Sequence, residues 1–342
     1  MPEFTVLLPV FNGEKYLDEA IQSILAQTYN DWQLLILDHQ SKDRSREIAE
    51  RYAAADPRLR IETVSADGLA DLLNKGLQMA DGRYVMRQDG DDISHPDRMV
   101  LTKRAFDDNP GIVAVGGQCN FITDTGRRTG QTTYPLSTAG VAAAALFYNP
   151  IAHPAVTFDL HRFNSLNCSY GADIMGTLPS DGSMNIKDLV EDYFLFGQLS
   201  ILNHCVNTRE VLVDYRMHQA SVSRLKSEQQ LAKSVEVSQF MTEQWCKLRG
   251  CDLFDVRPFT NHGTRLFVPG ASHNYSEQFT AMSRSLTQGL GRSTALSREL
   301  EFRRVIAYRG KVAMALRFAA FAAQNRPTSF EFNTVSSWLK RF

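Results

Sequence analysis

The sequence predicts an α/β fold in which a mostly parallel sheet is flanked by helices and followed by a helical C-terminal region. Short apolar runs alternate with amphipathic segments over the first third of the chain, and acidic residues directly follow two of these runs. From residue 227 onward the pattern is helical and repeat-free. Because adjacent parallel strands need a crossover connection, usually a helix, four strand–helix units in succession imply right-handed crossovers over one sheet.

The strand candidates are apolar runs of four to seven residues, as expected of strands that are buried on both faces. They span residues 4–10, 32–37, 59–64, 83–87 and 112–115. The first helix candidate carries an apolar stripe made by Leu17, Ala20, Ile21, Ile24 and Leu25. Asn12 is suited to cap this helix, and Ser41 and Asp43 are suited to cap the next one.

The regular alternation stops near residue 116. The segments beyond it are an antiparallel, loop-rich stretch at 116–137, an Ala-rich helix at 141–147, a helix at 187–199 and a strand at 210–215. We therefore expect an α/β domain over residues 1–224. A helical region over residues 225–342 would serve packing, oligomer formation or contact with a membrane surface.

Charge is unevenly distributed along the chain. The formal net charge is only −1, yet residues 225–342 carry 17 Lys and Arg against 9 Asp and Glu, whereas residues 1–224 carry 20 against 29. A basic segment is attracted to anionic surfaces such as lipid headgroups. A merely solvated basic face explains the same pattern equally well.

The cysteines and the apolar runs indicate the compartment. Five scattered cysteines without a Cys-x-x-Cys pair fit a reducing cytoplasm and argue against a zinc site or a disulfide framework. The N-terminal apolar run is too short for a signal segment, and no run approaches the ~20 apolar residues that span a bilayer. We expect a cytoplasmic protein, with peripheral contact to the inner face of the cytoplasmic membrane left open.

The clearest chemical signal is the turn Asp89-Gly90-Asp91-Asp92, directly after the fourth strand candidate. Hard divalent cations prefer carboxylate oxygens and often combine few protein ligands with substrate phosphates. Asp38, at the end of the second strand candidate, could accept a hydrogen bond from a base or a ribose. Alone, either feature also fits a solvated turn or a helix cap. Ligands of such sheets bind at the carboxyl ends of strands, so we expect Asp38 and this turn to converge.

Two further candidates lie in the second half of the chain. Glu191 and Asp192 could supply a general base, or could simply favour the first turn of a helix through its dipole. His218 follows a strand candidate and could bind a metal ion as a neutral imidazole, or could be structural.

Together these elements, in this order, resemble the family 2 glycosyltransferases with the GT-A fold over roughly residues 4–223. The matching segments are Val6-Leu-Leu-Pro-Val-Phe-Asn12, Leu37-Asp38, Ser41-x-Asp43, Leu73-Asn-Lys-Gly76, Ala80-Asp-Gly-Arg-Tyr84, Asp89-x-Asp-Asp92, Pro96-x-Arg98, Asn149-Pro-Ile-x-His153, Glu191-Asp192 and Tyr215-Arg-x-His218. Each is weak alone, but their joint order is highly specific.

The resemblance implies a role for each matching position in a catalytic domain over residues 1–224. The residues lining the nucleotide-sugar donor would be Pro9, Asn12, Asp38 and Asn74, with Asp89 close to the ribose and His153 near the reacting centre. The ligands of a Mn²⁺ or Mg²⁺ ion at the donor diphosphate would be Asp91 and His218. The catalytic base would be Asp192, with Glu191 as its neighbour and second candidate.

One segment departs from the family pattern. The family usually has Asp-Asp-Gly-Ser-x-Asp after the second strand, whereas this chain has Asp38-His-Gln-Ser-Lys-Asp43. The missing second aspartate and glycine affect the contacts to the base and the ribose. A donor other than a uridine diphosphate sugar therefore stays open.

The resemblance implies an inverting, divalent-metal-dependent, hexosyltransferase-like enzyme. It would move a sugar from a nucleotide-diphosphate sugar, with UDP-sugars favoured, to a hydroxyl of a glycan or lipid-linked acceptor, as in bacterial surface polysaccharide synthesis. We expect no nucleic-acid partner, while a membrane surface and a homo-oligomer stay open. The alternatives are a non-catalytic nucleotide-sugar-binding protein of the same fold and a nucleotidyltransferase. The turn after the first strand lacks Gly-x-Gly-x-x-Gly, which argues against a dinucleotide-dependent oxidoreductase.

Near the C-terminus, one helix candidate is basic and amphipathic. Its apolar face would carry Phe302, Val305, Ile306, Tyr308, Val312 and Leu316, with Arg303, Arg304, Lys311 and Arg317 mostly opposite. Such a helix lies at a membrane surface or packs on the catalytic domain or a partner subunit.

Overall fold

The computed structural model describes residues 1–177, 186, 189–218, 227–260, 274–307 and 310–339. Its strands are β1 (Phe4–Val10), β2 (Trp32–Asp38), β3 (Leu59–Thr63), β4 (Tyr84–Arg87), β5 (Ile93–Ser94), β6 (Ala114–Ile122), β7 (Arg128–Gln131), β8 (Thr157–Asp159) and β9 (Cys205–Arg216). Its α-helices are α1 (Leu17–Leu25), α2 (Ser45–Ala55), α3 (Gly68–Met79), α4 (Arg98–Asp108), α5 (Thr138–Ala145), α6 (Leu160–Ser165), α7 (Glu191–Ile201), α8 (Ser227–Arg249), α9 (Ser276–Leu290), α10 (Thr294–Ile306), α11 (Lys311–Gln324) and α12 (Ser329–Leu339).

The N-terminal half of the sheet is the predicted parallel unit. β1 pairs in parallel with β2 and β4, and β2 pairs with β3, which confirms the strand–helix alternation. The register sets Val10 opposite Asp38 and Leu7 opposite Arg87, so that β1, β2 and β4 end along the same edge. A side chain at Gly76 in α3 would collide with Leu7 and with Leu37, so this glycine lets the helix lie close to the sheet.

The other half of the sheet is mixed. The strand order is β3-β2-β1-β4-β8-β6-β9-β5, with β7 also paired to β6. β8 is antiparallel to both β4 and β6, whereas β9 is parallel to β6. The α/β fold class is confirmed, and the antiparallel pairings all involve strands beyond β4, after which the sequence loses its regular alternation. The short β5 pairs with β9 and ties the segment after Asp92 to that strand.

The C-terminal helices pack onto the α/β part through one shared core. Leu146, Phe147 and Phe194 belong to the same buried cluster as Met241 and Trp245 of α8. A Cβ on Gly197 in α7 would lie 3.0 Å from the Met241 side chain, so the two helices cross closely. The predicted boundary near residue 224 lies outside the described residues, and side chains before and after it share a core.

Arg303 of α10 is a second connection between these parts. Its guanidinium is buried, donates to the Phe259 carbonyl oxygen at 2.6 Å and lies 4.2 Å above the Phe147 ring. A buried guanidinium needs such partners because desolvating it without them is costly. The predicted basic helix therefore turns one of its arginines inward.

The single amphipathic helix expected around residues 302–316 is wrong. α10 ends at Ile306 and α11 begins at Lys311 after Gly310, so the apolar positions lie on two helices. Phe302, Val305 and Ile306 are buried, whereas Val312 is 72% and Leu316 67% exposed. Tyr308 lies outside the described residues. Within the described part of the chain, no helix is both long and apolar enough to cross a membrane.

Candidate active site

The loops after β1 and β2 are joined by side-chain hydrogen bonds. The Asn12 side-chain oxygen accepts from the Lys42 N–H at 2.8 Å, and the Asn12 N–H donates to Ser41 Oγ at 3.0 Å. Asp43 Oδ2 accepts from the Glu14 N–H at 3.0 Å. The expectation that Asn12 caps α1 is therefore wrong, because its side chain bridges two loops and α1 begins five residues later, at Leu17, without a side-chain cap. The bridge holds these two loops together at the edge of the sheet where β1 and β2 end.

Asp38 lies beside these loops, at the end of β2, and is only 2% exposed. Its Oδ1 accepts from the Ser41 N–H at 3.0 Å, which shapes the turn that follows. The side chain of Phe11 is 61% exposed, and its ring centroid lies 5.6 Å from that of His39. Two adjacent rings beside a carboxylate form a surface on which a planar base can stack. Sequence analysis gave no role to Phe11 or to His39.

The Asp89–Asp92 turn is held by a buried polar network. Gln88 Nε2 donates to the carbonyl oxygens of Asp89 and Asp92, both at 2.9 Å. Gln88 Oε1 accepts from Ser94 Oγ at 2.6 Å and from the buried Arg98 at 3.3 Å. Burial lowers the pKa of Arg98 to about 10, which leaves its guanidinium charged at neutral pH. The Gln88 side chain thus fixes the backbone of the turn through its carbonyl oxygens and does not bond to the aspartate carboxylates.

Asp89 and Gly90 lie directly beside the end of β1. A Cβ built on Gly90 would be 3.8 Å from the Pro9 carbonyl oxygen. Asp89 Oδ1 accepts a hydrogen bond from the guanidinium of Arg87, whose side chain is 3% exposed. The predicted donor residues Pro9 and Asp89 therefore meet at the carboxyl ends of adjacent strands.

The end of β9 closes the other side of the turn. His218 Nε2 lies 2.8 Å from Asp91 Oδ2, across 127 positions of the chain. The Arg216 N–H donates to Asp92 Oδ1 at 2.8 Å, and Arg216 Nε donates to the Asp91 carbonyl oxygen at 2.9 Å. Asp91 and His218, which the family resemblance pairs as metal ligands, are therefore in contact in the fold.

The carboxylates of the turn destabilise one another's charge. Burial, followed by repulsion from Asp89, raises the pKa of Asp91, and the hydrogen bond with His218 opposes this rise. The same two causes raise the pKa of the fully buried Asp92 well above its ordinary value. Asp92 Oδ2 has no hydrogen-bond partner within the described part of the chain. A bound cation would relieve this repulsion.

The turn fits a divalent cation by the chemistry of its donors. Asp91 offers a hard carboxylate oxygen and His218 an imidazole nitrogen at the same point. No group of three or more His, Cys, Asp or Glu side chains is placed to hold a metal ion by itself among the described residues. Two protein ligands suffice where the phosphates of a substrate complete the coordination, as is usual for Mg²⁺.

Asp192 stands at the first turn of α7. Its Oδ2 accepts from Asn149 Nδ2 at 3.0 Å, and its Oδ1 accepts from the Tyr193 N–H at 2.7 Å. Burial raises the pKa of Asp192 to about 6, and the charge of Asp89 contributes to the rise. Such a carboxylate is ionised at neutral pH and is a stronger base than an ordinary aspartate. Glu191 beside it is 8% exposed.

His153 and Asn74 are both organised around Tyr170. His153 Nε2 lies 3.0 Å from the Tyr170 hydroxyl, and burial lowers the pKa of His153 to about 3. The imidazole is therefore neutral and suited to hydrogen bonding rather than to proton abstraction at neutral pH. The Asn74 amide bonds to both the N–H and the C=O of Tyr170, at 2.9 and 3.1 Å. Asn74 thus fixes the segment that carries Tyr170, and its contact with a donor stays a prediction.

The sequence analysis gave no role to Arg87, Arg216, Tyr170 or Asn149. A usable signal was present for Arg87, because it ends a strand that is otherwise apolar, and an arginine in that position needs an acidic partner. Nothing comparable marks Tyr170 or Asn149.

Comparison with protein families gives a match to the model for glycosyl transferase family 2 over residues 5–170. An uncharacterized glycosyltransferase of Haemophilus influenzae is 26% identical over 238 residues, covering 67% of this chain and 70% of that protein. The putative glycosyltransferase EpsE of Bacillus subtilis is 41% identical over 167 residues, which cover 48% of this chain and 59% of EpsE.

Solved structures share the fold along nearly the whole chain. TarS 1–349 of S. aureus, in complex with UDP-GlcNAc, matches 99% of this chain and 90% of its own with a TM-score of 0.51 at 15% identity. The mannosyltransferase PcManGT of Pyrobaculum calidifontis, in complex with GDP-Man and Mn²⁺, matches 99% of this chain and 87% of its own with a TM-score of 0.50, also at 15% identity. At these identities the likeness shows the GT-A fold alone.

Proposed function

We propose that this chain, which matches the model for glycosyl transferase family 2 over residues 5–170, transfers a sugar from a nucleotide-diphosphate sugar to an acceptor hydroxyl with inversion at the anomeric carbon. The observation that carries the proposal is the contact between Asp91 and His218 beside the end of β4. The charge of Asp89, in the same turn as Asp91, also contributes to the raised pKa of Asp192. A donor whose diphosphate is bound at Asp91 and His218 would present its sugar towards Asp192.

Asp192 is the proposed base. Inversion requires one displacement, in which the acceptor oxygen attacks the anomeric carbon, the bond to the diphosphate breaks and the acceptor proton passes to Asp192. The Asn149 amide and the Tyr193 N–H orient the carboxylate, and its raised pKa strengthens it as a proton acceptor without neutralising it at pH 7.

The donor would lie along the edge formed by β1, β2 and β4. Asp38 and the exposed Phe11 and His39 support a place for the base, and Asp89 supports one for the ribose. Structural relatives carry a uridine nucleotide in one case and a guanosine nucleotide in another, so the fold does not select the base. We propose a UDP-sugar, to be tested with a panel of nucleotide sugars scored for slow hydrolysis.

Asp91 and His218 would hold the divalent cation at the donor diphosphate. When bound, the ion supplies positive charge against the negative charge that builds on the leaving phosphate. Asp91→Ala should abolish the Mn²⁺-dependent part of donor binding in calorimetry, and His218→Ala should weaken it. Arg104→Ala, at an exposed position of α4, serves as a control. Donor binding by Asp91→Ala that still responds to Mn²⁺ would refute the role of this carboxylate.

A lipid-linked acceptor at a membrane surface is the second part of the proposal. α11 exposes Val312 and Leu316, and Lys311 and Arg317 are exposed on the same helix. Exposed apolar and basic side chains on one helix favour binding to anionic lipid. The protein should float with vesicles that contain phosphatidylglycerol, and Val312→Ser with Leu316→Ser should prevent this. Leu253→Ser, at another exposed leucine, should not.

A further inference from the structure

A cleft of about 660 Å³ separates the β6–β7 hairpin from the C-terminal helices. Its walls are formed by Phe121 and Thr129–Thr133 on one side, and by Arg298 and Phe302 of α10 with Glu331 and Asn333 of α12 on the other. A volume of this size is typical of small-molecule sites. The C-terminal region therefore forms one wall of the cleft, in addition to packing against the α/β part.

The cleft reaches the proposed catalytic base. Asn149 lines it, and the same amide donates to Asp192 Oδ2 at 3.0 Å. Met217 also lines it, is 43% exposed and directly precedes His218. A molecule in the cleft would thus contact Asn149, which bonds to the proposed base Asp192, and Met217, which precedes the proposed metal ligand His218. An acceptor bound in the cleft would therefore lie next to Asn149, the hydrogen-bond partner of the proposed base.

The charges that line the cleft are paired. Arg298 forms two hydrogen bonds of 2.8 Å to the two carboxylate oxygens of Glu331, which is 5% exposed. Arg303 Nε donates to Glu299 Oε1 at 2.6 Å. These four are the charged side chains among the described lining residues, two of each sign. A planar two-bond pair satisfies the guanidinium, so it offers little attraction to an added anion.

The remaining lining is chemically suited to a sugar. Thr133, Gln131 and Asn333 offer hydroxyl and amide groups, and Phe121, Tyr134 and Phe302 add aromatic rings. The Thr132 hydroxyl is already bonded to Gln118 and to the Cys119 N–H. Hydroxyls and amides bond to sugar hydroxyls, while aromatic faces cover the apolar C–H faces of sugar rings. Because the charged side chains of the lining are paired with one another, the cleft offers a polyanion little attraction.

We infer that α10 and α12 form one wall of the acceptor site and select an uncharged saccharide. This rests on the proposed glycosyl transfer. The helical region is then a specificity element: the α/β part holds the donor, and the acceptor is held between the two parts.

To test this inference, a tryptophan is introduced into the cleft from one wall at a time. Asn333→Trp on α12 and Thr133→Trp on the opposite wall both start from exposed residues, so that the fold should tolerate the new ring. We expect transfer to a saccharide acceptor to fall at least about tenfold through a higher acceptor KM, while slow donor hydrolysis stays within about twofold. Ala281→Trp puts the same ring on the exposed face of α9, away from the cleft, and should change neither.

Binding of saccharides is measured independently of turnover. Saturation-transfer NMR compares uncharged hexose and N-acetylhexosamine oligosaccharides with uronic acid oligosaccharides of equal length. Signals from the uncharged set that disappear in Asn333→Trp support the inference. Binding of the acidic set alone, binding unaffected by either tryptophan, or no binding by either set overturns it. Absence of donor hydrolysis with every nucleotide sugar would instead refute the proposed function, whatever the NMR result.

Discussion

At the scale of single residues, the site works through carboxylates whose charge the fold makes unfavourable. Burial raises the pKa values of Asp91, Asp92 and Asp192, and Asp89 contributes to each rise. Acids with strongly perturbed pKa values are typical of functional sites, since stability alone would favour their replacement. Asp192 is the member whose protonation state can be tested directly.

Asp192→Asn should reduce transfer by about 10²- to 10⁴-fold, the usual contribution of a general base. Donor affinity should survive, because the substitution leaves the β1, β2 and β4 edge intact. The free energy of unfolding at pH 7.5 should stay equal or rise, because a buried charge is removed. Transfer assays, calorimetry and urea denaturation measure the three quantities, and near-normal turnover would rule out Asp192 as the base.

The raised pKa of Asp192 also predicts two pH dependences. The acid limb of kcat/KM should lie near pH 6, where the base becomes protonated. The folded-state pKa of about 6 exceeds the model-peptide value of 3.8, so between these values the folded chain keeps a proton that the unfolded chain has lost. The contribution of Asp192 to the free energy of unfolding therefore falls as pH rises through that window. Denaturation of wild type and Asp192→Asn at pH 4.5 and 7 should show this difference, and identical pH dependence would contradict it.

At the scale of elements, the position of the Asp89–Asp92 turn depends on how closely β4 lies against β1. Gly82, just before β4, is buried, and its N–H donates to Thr5 Oγ1 at 2.8 Å. A Cβ at this position would lie 2.5 Å from the Thr5 backbone nitrogen, so no larger residue fits without moving a strand.

Gly82→Ala should therefore destabilise the protein by about 1–3 kcal/mol, the usual cost of overpacking. It should also reduce donor binding, since the start of β4 moves relative to β1. The neighbouring Asp81→Ala is the control: Asp81 is exposed, and its loss should change stability by less than about 0.5 kcal/mol. Thermal and urea denaturation of the two variants measure the effect, and equal stability would show that the strand can shift freely.

At the scale of the whole molecule, the C-terminal helices complete the core of the α/β part. Tyr193 of α7, next to the proposed base, donates its hydroxyl to the Ala145 carbonyl oxygen at 2.8 Å and lies 2.8 Å from Ser238 Oγ of α8. Together with the packing of Met241 and Trp245, this contact ties the start of α7 to the C-terminal region.

A variant ending at residue 226 should consequently fail to form a stable catalytic domain. Its loss of α8 to α12 would expose Leu146, Phe147 and Phe194, which are now fully buried, and exposed apolar patches of this kind promote aggregation. We expect insoluble protein, or soluble protein without a cooperative thermal transition in near-ultraviolet circular dichroism. A cooperatively melting, donor-hydrolysing variant would show that the α/β part folds alone.

The sequence by itself determined the local structure and the resemblance to family 2 glycosyltransferases. The strand–helix alternation through β4, the Asp89–Asp92 turn and the helical C-terminal region follow from hydrophobic periodicity and turn chemistry, which act over a few residues. The order of motifs then identified the GT-A fold, and with it the pair formed by Asp91 and His218. Local rules failed at Asn12, whose side chain bonds to a loop thirty positions away rather than capping the adjacent helix.

Only the tertiary structure decided which distant groups meet. The bond of Arg216 to Asp92 spans 124 positions and requires β9 and β5 to be neighbours, which no periodicity specifies. The split of the predicted basic helix at Gly310 and the cleft between α10, α12 and the β6–β7 hairpin likewise depend on how complete elements pack. The physical reason is that periodicity fixes which face of an element is buried, whereas the partner that covers it is chosen by the packing of the whole chain.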